Sequence, residues 1–243
     1  MTMKSFNDLL QFRRSVRFYK DQPIDPELIK LCIEQATLAP NSSNMQLWEF
    51  YHITDTDILR ELSKACLSQS AATTAQQMVV FVTRQDWYAE HAKTILKLET
   101  QNIQRNSPEN AQKRRIHQRN LYYGRLMPVL YARCFGLIGL LRKALVNVVG
   151  LFRPIIYQVS ENDMRVVVHK TCALAAQTFM LAMANQGLDT CPMEGFDSRM
   201  VKRILKLPSG AEVNMIISCG IRDEKGVWGD RIRISFEEVY KRV

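Results

Sequence analysis

The chain of 243 residues reads as a mixed α and β protein. Three observations give that class. Short apolar runs rich in aromatic and β-branched residues stand at 48–54, 78–83 and 213–219, and runs of this kind form strands. Longer stretches with apolar residues three and four apart separate them, which is the helical period. At 47% hydrophobic, a chain of this length is expected to bury a substantial core as one domain, 1–243.

In chain order, Phe6, Leu9 and Leu10 fall at helical spacing behind Ser5, a residue type that caps helix N-termini. Asp25-Pro26-Glu27 starts a second helix: Asp25 can cap it, Pro26 fits the first turn, and Glu27 favours the positive end of the helix dipole. Leu28, Ile29, Cys32, Ile33 and Ala36 supply its apolar face, and it should end near Ala39-Pro40. The strand over 48–54 closes at Asp55-Thr56-Asp57, and helices over 58–66 and 71–75 follow. His52 sits in that strand without a partner at metal-ligand spacing and reads as structural. The run 78–83 is apolar on both faces, so it belongs in the middle of the sheet. Residues 86–118 are helical and highly charged, interrupted at Asn106-Ser107-Pro108-Glu109, where Asn106 or Ser107 can cap the next helix. A long helix rich in small residues spans 163–187 and stops at Gly187. Asp197 or Ser198 caps a helix over 199–205; then come the third strand, a loop over 226–230, and a short helix or tail over 236–240.

The net charge is +9, and it is unevenly placed. Between positions 101 and 165 eleven Lys and Arg stand against only Glu109, Glu161 and Asp163. A nucleic-acid partner is not expected, because these cations alternate with long aliphatic runs rather than with stacking aromatics and glycines. Residues 126–157 are the oddest stretch. Their longest uncharged run, 144–152, has nine residues, about half of what a spanning helix needs. On a helical wheel Arg133, Arg142, Lys143, Asn147 and Arg153 share one half with Gly136, Gly139 and Gly150, and Leu, Val, Ile and Phe fill the other. That pattern suits a helix lying weakly on a membrane surface, and equally a lid packed on the domain or on a second subunit. Six scattered cysteines without a Cys-x-x-Cys pair argue against a zinc site and a disulfide framework, and for a reducing cytoplasm. The first residues lack the order of a signal peptide, and no Gly-x-Gly-x-x-Gly or Walker-type phosphate loop occurs.

Two polar stretches stand apart. Arg13-Arg14-Ser15-Val16-Arg17 packs three guanidinium groups and a hydroxyl into five residues, and guanidinium forks match phosphate oxygens in pairs. Pro40-Asn41-Ser42-Ser43-Asn44-Met45-Gln46 sets small donors and acceptors just ahead of Trp48-Glu49-Phe50. Either alone fits a solvated face or a turn. With Cys191-Pro192-Met193-Glu194-Gly195-Phe196-Asp197 and Arg231-Ile232-Arg233 they stand in the order of the motifs of the FMN-dependent nitroreductase family, which the chain resembles. Leu47 replaces the proline usual in that family, which should bend the start of the strand without touching the flavin chemistry. Residues 84–163 match nothing in the family and read as a divergent, basic, helical insertion within the domain.

The resemblance implies an α+β fold: a central, mostly antiparallel sheet flanked by helices, with a helical insertion or lid. It implies an FMN-dependent NAD(P)H oxidoreductase that reduces nitroaromatics, quinones or similar electron-poor small molecules by ping-pong hydride transfer. By the same resemblance Arg13, Arg14 and Ser15 hold the phosphate and ribityl chain, Arg17 approaches the pyrimidine side, and Arg231 and Arg233 complete the phosphate site. Ser42, Ser43 and Asn44 reach the flavin of the partner subunit, since sites in this family form at a homodimer interface. Gln69 is a further candidate for the ring edge. In the loop Pro192-Met193-Glu194-Gly195 a backbone N–H around Glu194 and Gly195 faces flavin N5. No catalytic side chain and no metal are expected, because the cofactor carries the reaction. Branches of the same fold that dehalogenate aromatic rings or degrade flavin are alternatives. So is a flavin-binding or membrane-docking protein without turnover.

Overall fold

The computed structural model describes residues 5–243. Helix α1 (Phe6–Phe12) is capped by Ser5, whose hydroxyl accepts the Asp8 N–H at 3.2 Å. An extended segment leads to α2 (Pro26–Ala36), capped by Asp25. Then come β1 (Trp48–Ile53), α3 (Thr56–Ala65), α4 (Ser70–Thr73) and β2 (Gln77–Thr83). Helices α5 (Tyr88–Asn106) and α6 (Glu109–Leu121) lead into a π-helical turn, Tyr122–Leu126, and on to α7 (Met127–Tyr131) and α8 (Leu137–Gly150). The chain closes with α9 (Glu161–Asn185), β3 (Asp189–Met193), α10 (Ser198–Ile204), β4 (Glu212–Gly220) and α11 (Phe236–Val239).

The strands lie in the order β1-β2-β4-β3, and every neighbouring pair is antiparallel. β2 is buried along its whole length, as its doubly apolar run requires. Its side chains alternate between two helical layers. Val79 and Phe81 pack with Ile29 of α2 and Phe179 of α9, whereas Met78, Val80 and Val82 pack with Leu62 of α3 and Val201 of α10. The fold is therefore α+β, with the sheet between helices. α9 is long and apolar enough to cross a membrane by length and composition, but ten of its residues are buried against the rest of the protein. His52 is structural: its Nε2 hydrogen-bonds Gln77 Oε1 at 2.6 Å, and Gln77 in turn donates to the Ile24 carbonyl.

Three expectations are corrected. Pro192 and Met193, read from the sequence as part of a loop with Glu194 and Gly195, belong to the edge strand β3. Pro192 is tolerated there because, on the side away from β4, β3 is bridged only at Thr190, and Pro192 lies beyond that bridge. α6 takes no side-chain cap from Asn106 or Ser107; Pro108 occupies the cap position and Ser107 Oγ accepts from Arg115 instead. Residues 126–157 do not form one helix, since the backbone breaks between α7 and α8 at Phe135 (φ 48°) and Gly136 (φ 88°).

The orientation of α8, which the sequence left open, puts its apolar face outward. Gly139, Arg142 and Val146 face inward and the leucines face out. Arg142 donates to the carbonyls of Val129, Leu130 and Ala132, closing the C-terminal end of α7. The Glu161 carboxylate accepts the N–H groups of Cys134, Gly136 and Gly139, closing the N-terminal end of α8. At Gly139 a Cβ would lie 2.7 Å from the Glu161 nitrogen, so only glycine permits this approach. A third core cluster roots the segment: Tyr123, Met127 and Tyr131 pack with Met45, Leu47 and Met164.

Glu212, at the start of β4, ties this region to the sheet. It accepts from Arg133 (3.3 Å), Arg165 and His169 (3.3 Å). The hydrogen bond with His169, then that with Arg165, holds its carboxyl down at about 2 against the opposing effect of burial. A carboxylate held low stabilises the fold above its unfolded pKa and loses that contribution as pH falls through the folded value. Glu212→Gln should therefore flatten the loss of stability between pH 4.5 and about 2, read by urea unfolding at a series of pH values. A slope as steep as that of the unaltered protein would show that Glu212 contributes nothing there.

Candidate active site

The extended segment after α1 alternates as a strand does, with Val16 fully buried and Ser15 exposed. Ser15 pairs in parallel with Thr190, and the Val16 N–H donates to the Thr190 carbonyl at 3.1 Å. The Arg17 N–H reaches the Gly226 carbonyl (2.7 Å), so the segment lies between the root of β3 and the C-terminal stretch. Arg222 fixes this junction. Its guanidinium grips the buried Asp189 and also donates to the Phe12 carbonyl at 2.8 Å. Arg231 donates to the carbonyls of Leu10 (2.8 Å) and Arg13 (2.7 Å), and Arg14 to that of Gly229 (2.9 Å).

These anchors bring together Arg13, Arg14, Ser15, Arg17, Arg231 and Arg233 around an open pocket of about 220 Å³. Asp230 is the one carboxylate on its wall. Burial, followed by the nearby Arg231, Arg233 and Arg14 charges, lowers the pKa of Arg13. Five guanidinium groups facing one carboxylate are a site for an anion with several oxygens.

Gln69 links this pocket to the loop after β3. Its Oε1 accepts from Arg17 Nη1 (3.4 Å), and its Nε2 donates to the carbonyls of Gly195 (2.8 Å) and Cys66 (3.0 Å). Met193 is buried, Pro192 half-buried, and Glu194 and Gly195 are exposed. A Cβ at Gly195 would meet only Gln69 Nε2, at an ordinary 3.5 Å. Packing within the chain does not demand glycine there, whereas a flat ligand lying against the loop would.

Ser42, Ser43 and Asn44 are not in the cation pocket of their own chain. They form a 3-10 turn in which Ser43 (φ 54°), Asn44 (φ 51°) and the following Gln46 (φ 49°) are left-handed. Such a conformation costs of order 1 kcal/mol or more per non-glycine residue, so the turn needs outside support. Asn41 Oδ1 accepts the Gln46 N–H at 2.9 Å. Tyr122 hydrogen-bonds the Ser43 hydroxyl (2.7 Å), and Tyr123 donates to the Ser43 carbonyl (3.0 Å). Leu47, where related sequences carry proline, fills the third core cluster. The tyrosines went unremarked in the sequence, since about eighty positions separate them from Ser43. Trp228, 5.9 Å from the Arg17 guanidinium, could have been noticed as a lone aromatic in the Gly226–Gly229 loop.

The model of a known family, described as the nitroreductase family, matches residues 10–221. MhqN of Bacillus subtilis (strain 168), named for an NAD(P)H nitroreductase, is 25% identical over 220 residues, 90% of this chain and 89% of its own. A Thermus thermophilus NADH dehydrogenase is 23% identical over 222 residues, 90% and 88% of the two chains. Among solved structures, a nitroreductase family protein of Streptococcus pneumoniae gives a TM-score of 0.72 at 22% identity, over 98% of this chain and 100% of that one. An Exiguobacterium sibiricum protein, described as a nitroreductase and solved in complex with FMN, gives 0.70 at 17% identity, over 100% and 99%. At these identities the two structures show a shared fold.

The cation pocket makes a prediction of its own. Millimolar inorganic phosphate should raise the melting temperature of the ligand-free protein by mass action, and Arg13→Ala should remove most of that rise. An equal rise in the variant would put the anion elsewhere.

Proposed function

This chain belongs to the nitroreductase family, and on that premise we propose that it is an FMN-dependent NAD(P)H oxidoreductase. Its acceptors are nitroaromatics, quinones or similar electron-poor molecules, reduced in a ping-pong cycle. The single observation that carries the reading is the five-guanidinium pocket joined through Gln69 to the Gly195 loop. The residues fit FMN part by part: cations for a terminal phosphate, a hydroxyl for the ribityl chain, and a glycine, Gly195, where a planar ring can approach the backbone. When bound, that cofactor supplies hydride transfer at its N5.

Arg13, Arg14, Arg231 and Arg233 hold the phosphate, and Ser15 the ribityl chain. Arg17, oriented by Gln69, sets a positive charge where negative charge accumulates during reduction. The backbone around Glu194 and Gly195 presents a fixed donor to the ring. Ser42, Ser43 and Asn44 complete the site from the second subunit of a homodimer; their distance from the cation pocket of their own chain supports this arrangement. Residues 84–163 are an insertion within a single domain, in keeping with their share in the third core cluster. The names of MhqN and of the Thermus relative favour a nicotinamide donor, and the Exiguobacterium complex favours FMN. Six unpaired cysteines suit a reducing cytoplasm.

The purified protein should be yellow, carry one FMN per subunit and oxidise NAD(P)H in the presence of menadione or nitrofurazone. Arg17→Ala should keep its flavin but turn over roughly 10²-fold more slowly, the loss typical of one electrostatic donor. Flavin-loaded protein that oxidises neither NADH nor NADPH with any such acceptor would overturn the enzymatic reading and leave a flavin-binding protein.

A further inference from the structure

α8 is turned outside in. Leu137, Leu140, Leu141, Leu145 and Val148 are each between 58 and 66% exposed, whereas Arg142 is 8% exposed. This placement is enforced. Turning the leucines inward would strip the α7 carbonyls of Arg142 and drive a side chain into the Glu161 backbone where Gly139 now sits. Phe135 before the helix and Phe152 after it are exposed as well, so the apolar strip runs the length of the element. A continuous patch of this kind marks an interaction surface.

Charge selects what covers it. No Asp or Glu occurs between Glu109 and Glu161, and Glu161 is committed to the N-terminal end of α8. Lys143 and Arg153 are exposed beside the strip, and Arg125 lies at the surface of the preceding turn. A second copy of the same face would set these cations against one another with no acid of its own to answer them. An anionic lipid surface answers both features, taking leucine side chains between its acyl chains and cations at its headgroups. We propose that α8 docks this protein on an anionic bilayer, apolar face down. The π-helical turn that leads through α7 to α8 holds the Ser43 turn by Tyr122 and Tyr123. Joined to the oxidoreductase reading, on which this clause alone rests, docking opens the site to acceptors dissolved in the bilayer.

Flotation with vesicles reads docking without any redox step, so its failure and the failure of the enzymatic reading are separable. The full chain should float with vesicles of phosphatidylcholine containing phosphatidylglycerol at low salt and stay behind with phosphatidylcholine alone. Leu141→Glu/Leu145→Glu, and separately Lys143→Glu/Arg153→Glu, should each weaken binding at least tenfold. All four side chains are exposed, so circular dichroism and flavin content should not change. Absence of binding to anionic vesicles, or binding indifferent to the leucine pair, overturns the proposal. So does a smaller particle in sedimentation for the leucine variant, which would assign the face to a second copy.

Discussion

The parallel hydrogen bond from Val16 to Thr190 is where this structure is held together for function. It sets the extended arginine segment against β3, and through β3 against the Gly195 loop. Five guanidinium groups around one pocket repel each other, so their backbone needs anchoring by groups outside the pocket. Arg222 supplies one anchor by pairing with the buried Asp189 while donating to the end of α1. A buried carboxylate left without its cation costs roughly 3–5 kcal/mol, so this junction has little freedom to rearrange. Arg231 supplies another, turning part of its donor capacity to the α1 carbonyls. The backbone that carries the cations is thus fixed before any anion arrives, and binding need not order it.

Much of this was legible in the chain. The doubly apolar run of β2 fixed its central place, and Ser5 and Asp25 marked helix starts. Of the four motifs, the first and the last, Arg13 to Arg17 and Arg231 to Arg233, meet around the cation pocket; Gln69 links them to the third at Gly195, and the second, at Ser42 to Asn44, lies elsewhere in its own chain. β3 was missed because a proline inside a run argues against a strand, an objection removed only because Pro192 lies beyond the single bridge at Thr190 on the side away from β4. The tyrosines supporting the Ser43 turn were beyond reach: a contact across about eighty residues leaves no local pattern.

The orientation of 126–157 was out of reach for a different physical reason. A helical wheel sorts residues into faces but does not say which face points inward. Apolar residues are usually the buried ones, yet a membrane-surface helix turns them out, and the wheel fits both. Here backbone groups decided instead. Exposed carbonyls at the end of α7 and exposed N–H groups at the start of α8 need partners, and Arg142 and Glu161 provide them from the inner side. Gly139 and Gly150, which shared the charged half of the wheel, were the clue that this half was the tightly packed one.

The central claim is that the guanidinium cluster recognises a phosphate on a flavin, and paired affinities for FMN and riboflavin test it most directly. The two ligands share the ring and ribityl chain and differ only in the phosphate. Two charge-assisted hydrogen bonds of about 1.5 kcal/mol each correspond to roughly a hundredfold preference for FMN. The account predicts a preference of at least that size, largely lost in Arg13→Ala. Equal affinity for the two flavins in the unaltered protein would contradict it.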